Sequence, residues 1–199
     1  MSNSIIIDGN IGSGKTTVIR TLMRDENLYK CIEEPVIEWA PYLEQFYKDM
    51  SKNSLLFQMK VLQHHMRNKS CNNLEILERS PLSCIHIFGN KLKEDKYLSD
   101  LDMNLMIDMN NDFGWYPKNV IYINTPPEIC YERIHIRSRE NEIIPISYLE
   151  SISNLYDNLY IKKNMGVEID NIYIVDGTKD KDELYEDIKE IINNMRENK

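Results

Sequence analysis

The chain has 199 residues, 42% of them hydrophobic and 28% charged, which suits one well-buried α/β-sized domain and leaves little chain for a second. Its net charge of −8 excludes a role in coating polymeric nucleic acid, because phosphate backbones are bound by basic surfaces; a small anion can still bind where a few basic side chains converge. No stretch approaches the ~18 apolar residues of a membrane helix, Met1–Ser4 is too polar for a secretory signal, and Cys31, Cys71, Cys84 and Cys130 form no C-x-x-C pair, so a reduced, cytoplasmic setting is expected.

In chain order, Ile5–Asp8 reads as a short buried strand that runs into a Gly-rich turn and then a helix from about Lys15. Tyr29–Glu33 carries a second short strand, broken by Pro35. Ile37–Met66 is largely helical, with an irregular stretch around Ser51–Ser54. Leu74–Leu77 is a buried strand ending at Glu78-Arg79-Ser80-Pro81, and helical patterns resume at Leu82 and run, interrupted, to about Asn110. Asn119–Asn124 is an apolar strand closed by Thr125-Pro126-Pro127. A helix follows from Glu128, another spans Tyr148–Lys163, Ile172–Val175 is the last strand, and Asp182–Met195 is a closing amphipathic helix. Short strands alternating with helices predict a parallel sheet of about five strands flanked by helices, in one α/β domain over residues 1–199.

The strongest motif is Gly9-Asn10-Ile11-Gly12-Ser13-Gly14-Lys15-Thr16, which satisfies G-x-x-x-x-G-K-S/T between a strand and a helix and predicts a P-loop NTPase fold. Glycines let the backbone curl so that several N–H groups point at phosphate oxygens, and the helix start adds its positive dipole end. Lys15 is placed to reach the β- and γ-phosphates of ATP, with Thr16 on Mg²⁺ and Thr17 beside it in the nucleotide site. Asn90-Lys91-Leu92-Lys93 lacks the aspartate of a guanine-reading N-K-x-D motif, and the chain is short for a mechanical ATPase. A small-molecule kinase is therefore favoured.

Glu33-Glu34-Pro35-Val36 follows the second strand, so its carboxylates sit at the carboxyl edge of the sheet, where open α/β folds bind ligands. A carboxylate there can take the proton of an attacking hydroxyl; a solvated Glu-Glu pair is the alternative. Arg133 and Arg137 lie four apart, on one helix face, and Arg139 falls just beyond. Clustered guanidiniums suit the charge on a transferring phosphoryl group, so a short arginine-rich lid is expected.

Glu34-Pro35-Val36-x-x-Trp39 resembles the E-P-V-x-x-W element of the deoxynucleoside kinases. Tyr47-Lys48-Asp49, Phe57-Gln58, Glu78-Arg79-Ser80 and Tyr131-Glu132-Arg133-Ile134-x-x-Arg137-x-Arg139-x-x-Glu142 follow in the family's order and spacing. With the phosphate loop, the resemblance spans Ile5 to about Tyr160. It implies that Glu34 is the general base on a 5′-hydroxyl, that Arg79 holds the same oxygen, and that Glu78 stands in for a Walker B acid at the metal. Gln58 would pair with the base, Phe88 would stack on it, and Trp39, Phe57 and Val61 would shape the pocket, although Phe57, Phe88 and Trp39 also suit a core. Tyr47 and Glu142 would hold the 3′-hydroxyl. His65 and Cys84 fall at positions that vary with the base; Cys84, small and nearly apolar, suits a pyrimidine, and His65 serves either a base substituent or a structural contact. His135 replaces a lid arginine, and Asp8 replaces the usual glutamate before the phosphate loop. The resemblance further implies a homodimer inhibited by its end-product triphosphate. A thymidylate-type monophosphate kinase and a non-catalytic nucleotide-binding module are the competing readings.

Overall fold

Ile5–Ile7 is apolar at every position, so a strand there has to be covered on both faces. In the computed structural model, which describes residues 4–25, 29–68, 75–137 and 144–197, β1 (Ile5–Gly9) is buried along its whole length. It lies at the centre of a parallel sheet of five strands among the described residues. The order is β2 (Lys30–Ile32), β3 (Glu75–Glu78), β1, β4 (Asn119–Asn124), β5 (Asn171–Asp176). Ile7 is in register with Glu78 on one side and Ile121 on the other. The segments that leave β3, β1 and β4 therefore emerge together at one edge, which is where the phosphate loop, Arg79 and Thr125 lie.

Alternation along β1 divides the core. Ile5 and Ile7 pack with Val18, Ile19 and Leu22 of α1 (Lys15–Arg24) and with Leu184, Ile188 and Ile192 of α9 (Lys181–Glu197). Ile6 faces the other way, into a cluster with Leu82 of α4 (Pro81–Ser83), Trp115, Tyr122, and Ile152 and Tyr156 of α8 (Ile146–Tyr156). A third cluster joins Trp39 of α2 (Val36–Lys48), Val61 and Leu62 of α3 (Met50–Arg67), Ile85, and Met103 and Met106 of α6 (Asp100–Phe113). This is the α/β arrangement of a P-loop NTPase, with helices on both faces of the sheet.

Several boundaries differ from the sequence expectation, each for a local reason. The break in the long helical stretch falls at Asp49, which is extended and accepts the Lys52 N–H as an N-cap. Ser51–Ser54 is helical, and the Ser54 hydroxyl is absorbed by the Met50 carbonyl at 2.6 Å. β2 is three residues long, as suits a short edge strand. The segment after Ser80 passes through α4, a π-helical turn at Cys84–Gly89 and α5 (Asn90–Glu94). A second π-helical turn, Asp157–Ile161, extends α8. Helix α7 (Pro127–Arg137) carries the start of the arginine-rich lid. Arg139, Glu142, Cys71 and Leu74 lie outside the described residues. No helix among the described residues is long and apolar enough to cross a membrane.

Candidate active site

The phosphate loop curls as its glycines require. At Gly12, φ is +81° and a Cβ would stand 2.6 Å from the Cys130 carbonyl oxygen; Gly14, at φ +107°, caps α1. Asn10 braces the loop from behind: its Nδ2 donates to the Leu149 carbonyl and to Ser153 Oγ, both at 2.9 Å, and its Oδ1 accepts the Ile11 N–H. Ile11 packs beside Cys130, Ile134 and Leu149. Lys15 folds into the loop, with Nζ 3.0 Å from the Gly9 carbonyl and 2.7 Å from that of Asn10. Burial, with help from the neighbouring Arg79 charge, lowers its pKa to about 8 against the opposing pull of Glu78, Glu34 and Asp8. Thr17 is exposed on the first turn of α1.

The Thr16 hydroxyl donates to Glu78 Oε1 at 2.7 Å, and Glu78 Oε2 accepts the Glu34 backbone N–H at 3.3 Å. Hydroxyl and carboxylate thus form an adjacent pair of hard oxygen donors at the phosphate loop. Mg²⁺ usually takes one or two protein oxygens and fills its shell with phosphate and water, so the pair fits it.

On the acceptor side the two glutamates separate. Glu33 turns outward to Arg20, whose Nε donates to it at 2.8 Å. Glu34 turns inward, where Arg79 Nη1 donates to its Oε2 and His65 Nε2 stands 3.4 Å from its Oε1. Burial alone would raise the Glu34 carboxyl, but Arg79, then His65 and Lys15, outweigh it and hold the pKa at about 2. The group is ionised throughout the physiological range.

Arg79 is itself unusual. Its backbone has φ +61°, while its N–H still continues the sheet by donating to the Ile7 carbonyl at 3.1 Å. Nη2 donates to the Gly9 carbonyl at 3.3 Å, Nε to the Tyr156 hydroxyl at 3.4 Å, and the guanidinium lies 5.0 Å from the Phe88 ring centre. Non-glycine residues in this backbone region are strained and persist where surrounding contacts fix them.

Trp39, Gln58, Val61, His65 and Cys84 are buried together, with Phe57 partly buried against the same cluster. Phe57 stacks at a tilt on Phe46, 5.3 Å between centroids, and Trp39 meets His64 and His65 edge-on. These rings are therefore core residues, Trp39 and Phe57 in one cluster and Phe88 against another. Cys84 does more than fill space. Burial raises its pKa, so it remains a thiol, and its Sγ lies 3.3 Å from Gln58 Oε1. Trp39 Nε1 is buried without a hydrogen-bond partner, a polar atom at the site that a ligand can satisfy. Tyr47 is half exposed at the end of α2, and the Tyr148 hydroxyl, raised first by burial, is raised further by Tyr47.

In the lid, Arg133 bridges two loops. Nη1 donates to the carbonyls of Ser13 at 3.3 Å and Gly177 at 2.8 Å, and Nη2 to that of Lys179 at 3.4 Å. Thr125 Oγ1 donates to the same Ser13 carbonyl. Arg133 therefore builds the wall between the phosphate loop and the segment after β5. Arg137 is exposed one turn on, and His135 is exposed with its ring 4.1 Å from that of Tyr131.

The family model for deoxynucleoside kinases matches residues 5–198. The chain belongs to the deoxynucleoside kinase family. It is 31% identical over 196 residues to protein 143R of Invertebrate iridescent virus 6, described no more closely than as a kinase, covering 96% of this chain and 97% of that one. It is 30% identical over 178 residues to human mitochondrial thymidine kinase 2, covering 81% of this chain and 65% of the relative. With human deoxycytidine kinase the identity is 25% over 237 residues, with 96% and 91% covered. The protein is thus a deoxynucleoside kinase, a phosphotransferase acting on small nucleosides, and the family implies ATP as phosphate donor.

The sequence marks Asp8 as a replacement before the phosphate loop but not the partners of its side chain. Asp8 is fully buried and is bonded by Tyr156, Tyr160 and Ser83. A carboxylate ending an otherwise apolar strand was the available signal, because a buried charge has to find partners.

Proposed function

We propose that this deoxynucleoside kinase transfers the γ-phosphoryl group of ATP to the 5′-hydroxyl of a pyrimidine deoxynucleoside, thymidine or deoxycytidine, in nucleotide salvage. The observation that carries the reading is the continuous chain from Thr16 through Glu78 to Glu34 and Arg79, which joins the phosphate loop to a buried, ionised carboxylate. Glu34 takes the proton from the 5′-hydroxyl as its oxygen forms the new bond to phosphorus, and the bond from that phosphorus to the ADP oxygen breaks. Arg79 holds the acceptor oxygen. Lys15 leaves its loop carbonyls for the β- and γ-phosphates, and the lid arginines, Arg133, Arg137 and Arg139, offset charge on the transferring group. Thr16 and Glu78 would hold Mg²⁺, which when bound supplies charge neutralisation on the phosphates.

Gln58 reads the base, with Phe88, Trp39, Phe57, Val61 and His65 around it, and Tyr47 and Glu142 hold the 3′-hydroxyl. Cys84 is small and uncharged, which favours a pyrimidine over a purine that would need a charged partner. One domain, a cytoplasmic setting and a homodimer inhibited by its own triphosphate product complete the reading. A nucleoside monophosphate as acceptor is disfavoured, because its phosphate would meet ionised Glu34; at ~4 Å and an effective dielectric near 20 the repulsion is roughly 4 kcal/mol. Turnover with ATP across the four deoxynucleosides, their ribose counterparts and thymidylate tests the reading. It predicts the highest kcat/KM for a pyrimidine deoxynucleoside, and faster turnover of thymidylate or of a ribonucleoside contradicts it.

A further inference from the structure

Asp8 lies next to the last residue of the buried strand β1, and its carboxylate takes four donors. Oδ1 accepts the Gly9 N–H at 2.8 Å and the Tyr156 hydroxyl at 2.7 Å; Oδ2 accepts the Tyr160 hydroxyl at 2.6 Å and Ser83 Oγ at 2.5 Å. These donors come from the sheet, from α4, from the last residue of α8 and from the second π-helical turn that follows it. Such turns are often retained where a helix serves a site. The rings of Tyr122, Tyr156 and Tyr160 stack on one another, with centroids 5.3–5.9 Å apart, which fixes where the two hydroxyls point.

The network ends on Arg79. Asp8 Oδ1 lies 3.7 Å from Arg79 Nε, and the same nitrogen donates to the Tyr156 hydroxyl. Among the described residues, Tyr156 bonds both the carboxylate and the guanidinium, whereas Tyr160 bonds the carboxylate without reaching Arg79. Arg79 thus has a carboxylate at each end, Glu34 on Nη1 and Asp8 near Nε. The two differ in what the reaction asks of them. Glu34 becomes neutral as it takes the hydroxyl proton, and Arg79 then loses that counter-charge. Asp8 sits at the other end of the guanidinium, near Nε, and takes no part in that proton transfer. A buried guanidinium without a counter-charge is costly, so the second carboxylate holds it in place when the first is neutralised.

We propose that Asp8, acting through Tyr156, is a positioning residue that keeps Arg79 aimed at the acceptor oxygen while Glu34 changes its protonation state. The inference rests on the acceptor-side roles of Glu34 and Arg79 proposed above. The network spans 152 positions of sequence, Tyr156 lying 148 and Tyr160 152 positions from Asp8, so no local motif announces it.

The test compares two tyrosines that share a carboxylate but not an arginine. Tyr156→Phe, Tyr160→Phe, Arg79→Lys and the Tyr156→Phe/Arg79→Lys double variant are assayed for kcat, KM and Tm on the best of the four natural deoxynucleosides. Loss of a hydrogen bond to a charged group predicts that Tyr156→Phe lowers kcat about tenfold or more with both KM values within about threefold. Tyr160→Phe should lower Tm comparably and leave kcat within about threefold, and Tyr156→Phe should add nothing once Arg79→Lys is present. Should Tyr156→Phe fail to fold, Asp8→Asn, which keeps the shape and removes the charge, carries the same expectation for kcat. Equal kcat for the two tyrosine variants, or losses that multiply in the double variant, overturns the inference while leaving Arg79 in its role. Wild-type turnover by Arg79→Lys removes that role, and this inference with it.

Discussion

The Thr16 hydroxyl donates to Glu78 Oε1 at 2.7 Å, while the other oxygen of the same carboxylate takes the Glu34 backbone N–H at 3.3 Å. One side chain therefore ties the Thr16 hydroxyl, proposed to face the metal, to the backbone of Glu34, the proposed base. Glu78→Gln keeps the shape and removes the charge that a hard cation needs. The Mg²⁺ concentration for half-maximal rate should rise about tenfold or more, with the deoxynucleoside KM changing little. A titration of initial rate against Mg²⁺ checks this, and an unchanged midpoint would remove Glu78 from the metal site.

Lys15 gives a pH signature. Its pKa in the ligand-free protein is lowered to about 8, by burial first and then by the Arg79 charge. A depressed lysine is cationic below that value and neutral above it, whereas phosphates at the amine favour the cation. Binding ATP should therefore take up a proton near pH 8.5 and almost none near pH 6.5. Calorimetry in buffers of different ionisation enthalpy reads the proton count directly. Equal counts at the two pH values would contradict the buried, lowered lysine.

The phosphate loop was legible in the sequence because its chemistry is local: Gly12 and Gly14 adopt the positive φ that the motif requires. The strands β1, β4 and β5 were legible for a similar reason, since each is a short, largely apolar run closed by a breaker. Position alone did not separate Glu33 from Glu34; the resemblance singled out Glu34. Their different surroundings come from distant residues: Arg20 draws Glu33 outward, while Arg79 and His65 receive Glu34. The Asp8 network was hidden because its partners lie on other elements, and Arg133 shows the same limit. Its place on a helix face was readable, but its hold on three carbonyls depends on where the loop after β5 comes to rest.

Cys84 illustrates a side chain whose size was readable but whose bond was not. Its thiol lies 3.3 Å from Gln58 Oε1, which biases the amide to present its nitrogen to the pocket. Thymine and cytosine offer opposite donor and acceptor patterns along the edge that an amide pairs with. Cys84→Ala should change the ratio of kcat/KM for thymidine over deoxycytidine by about three- to tenfold, in the range expected of a weak S–H donor. Cys84→Ser, which keeps a donor, should move it less. Competition between the two nucleosides in one assay measures the ratio, and identical ratios for wild type and Cys84→Ala would leave the thiol a packing group only.

The central claim is that Glu34, held ionised at about 2 by Arg79, His65 and Lys15 against its burial, is the base that accepts the 5′-hydroxyl proton. Single-turnover phosphorylation of thymidine and deoxycytidine by Glu34→Gln, with ATP and nucleoside binding measured separately by calorimetry, tests it most directly. The account predicts that the chemical step slows by roughly 10²–10⁴-fold, about 3–5 kcal/mol of transition-state stabilisation, while both dissociation constants stay within about threefold of wild type. A chemical step within a few-fold of wild type, with binding intact, would contradict it.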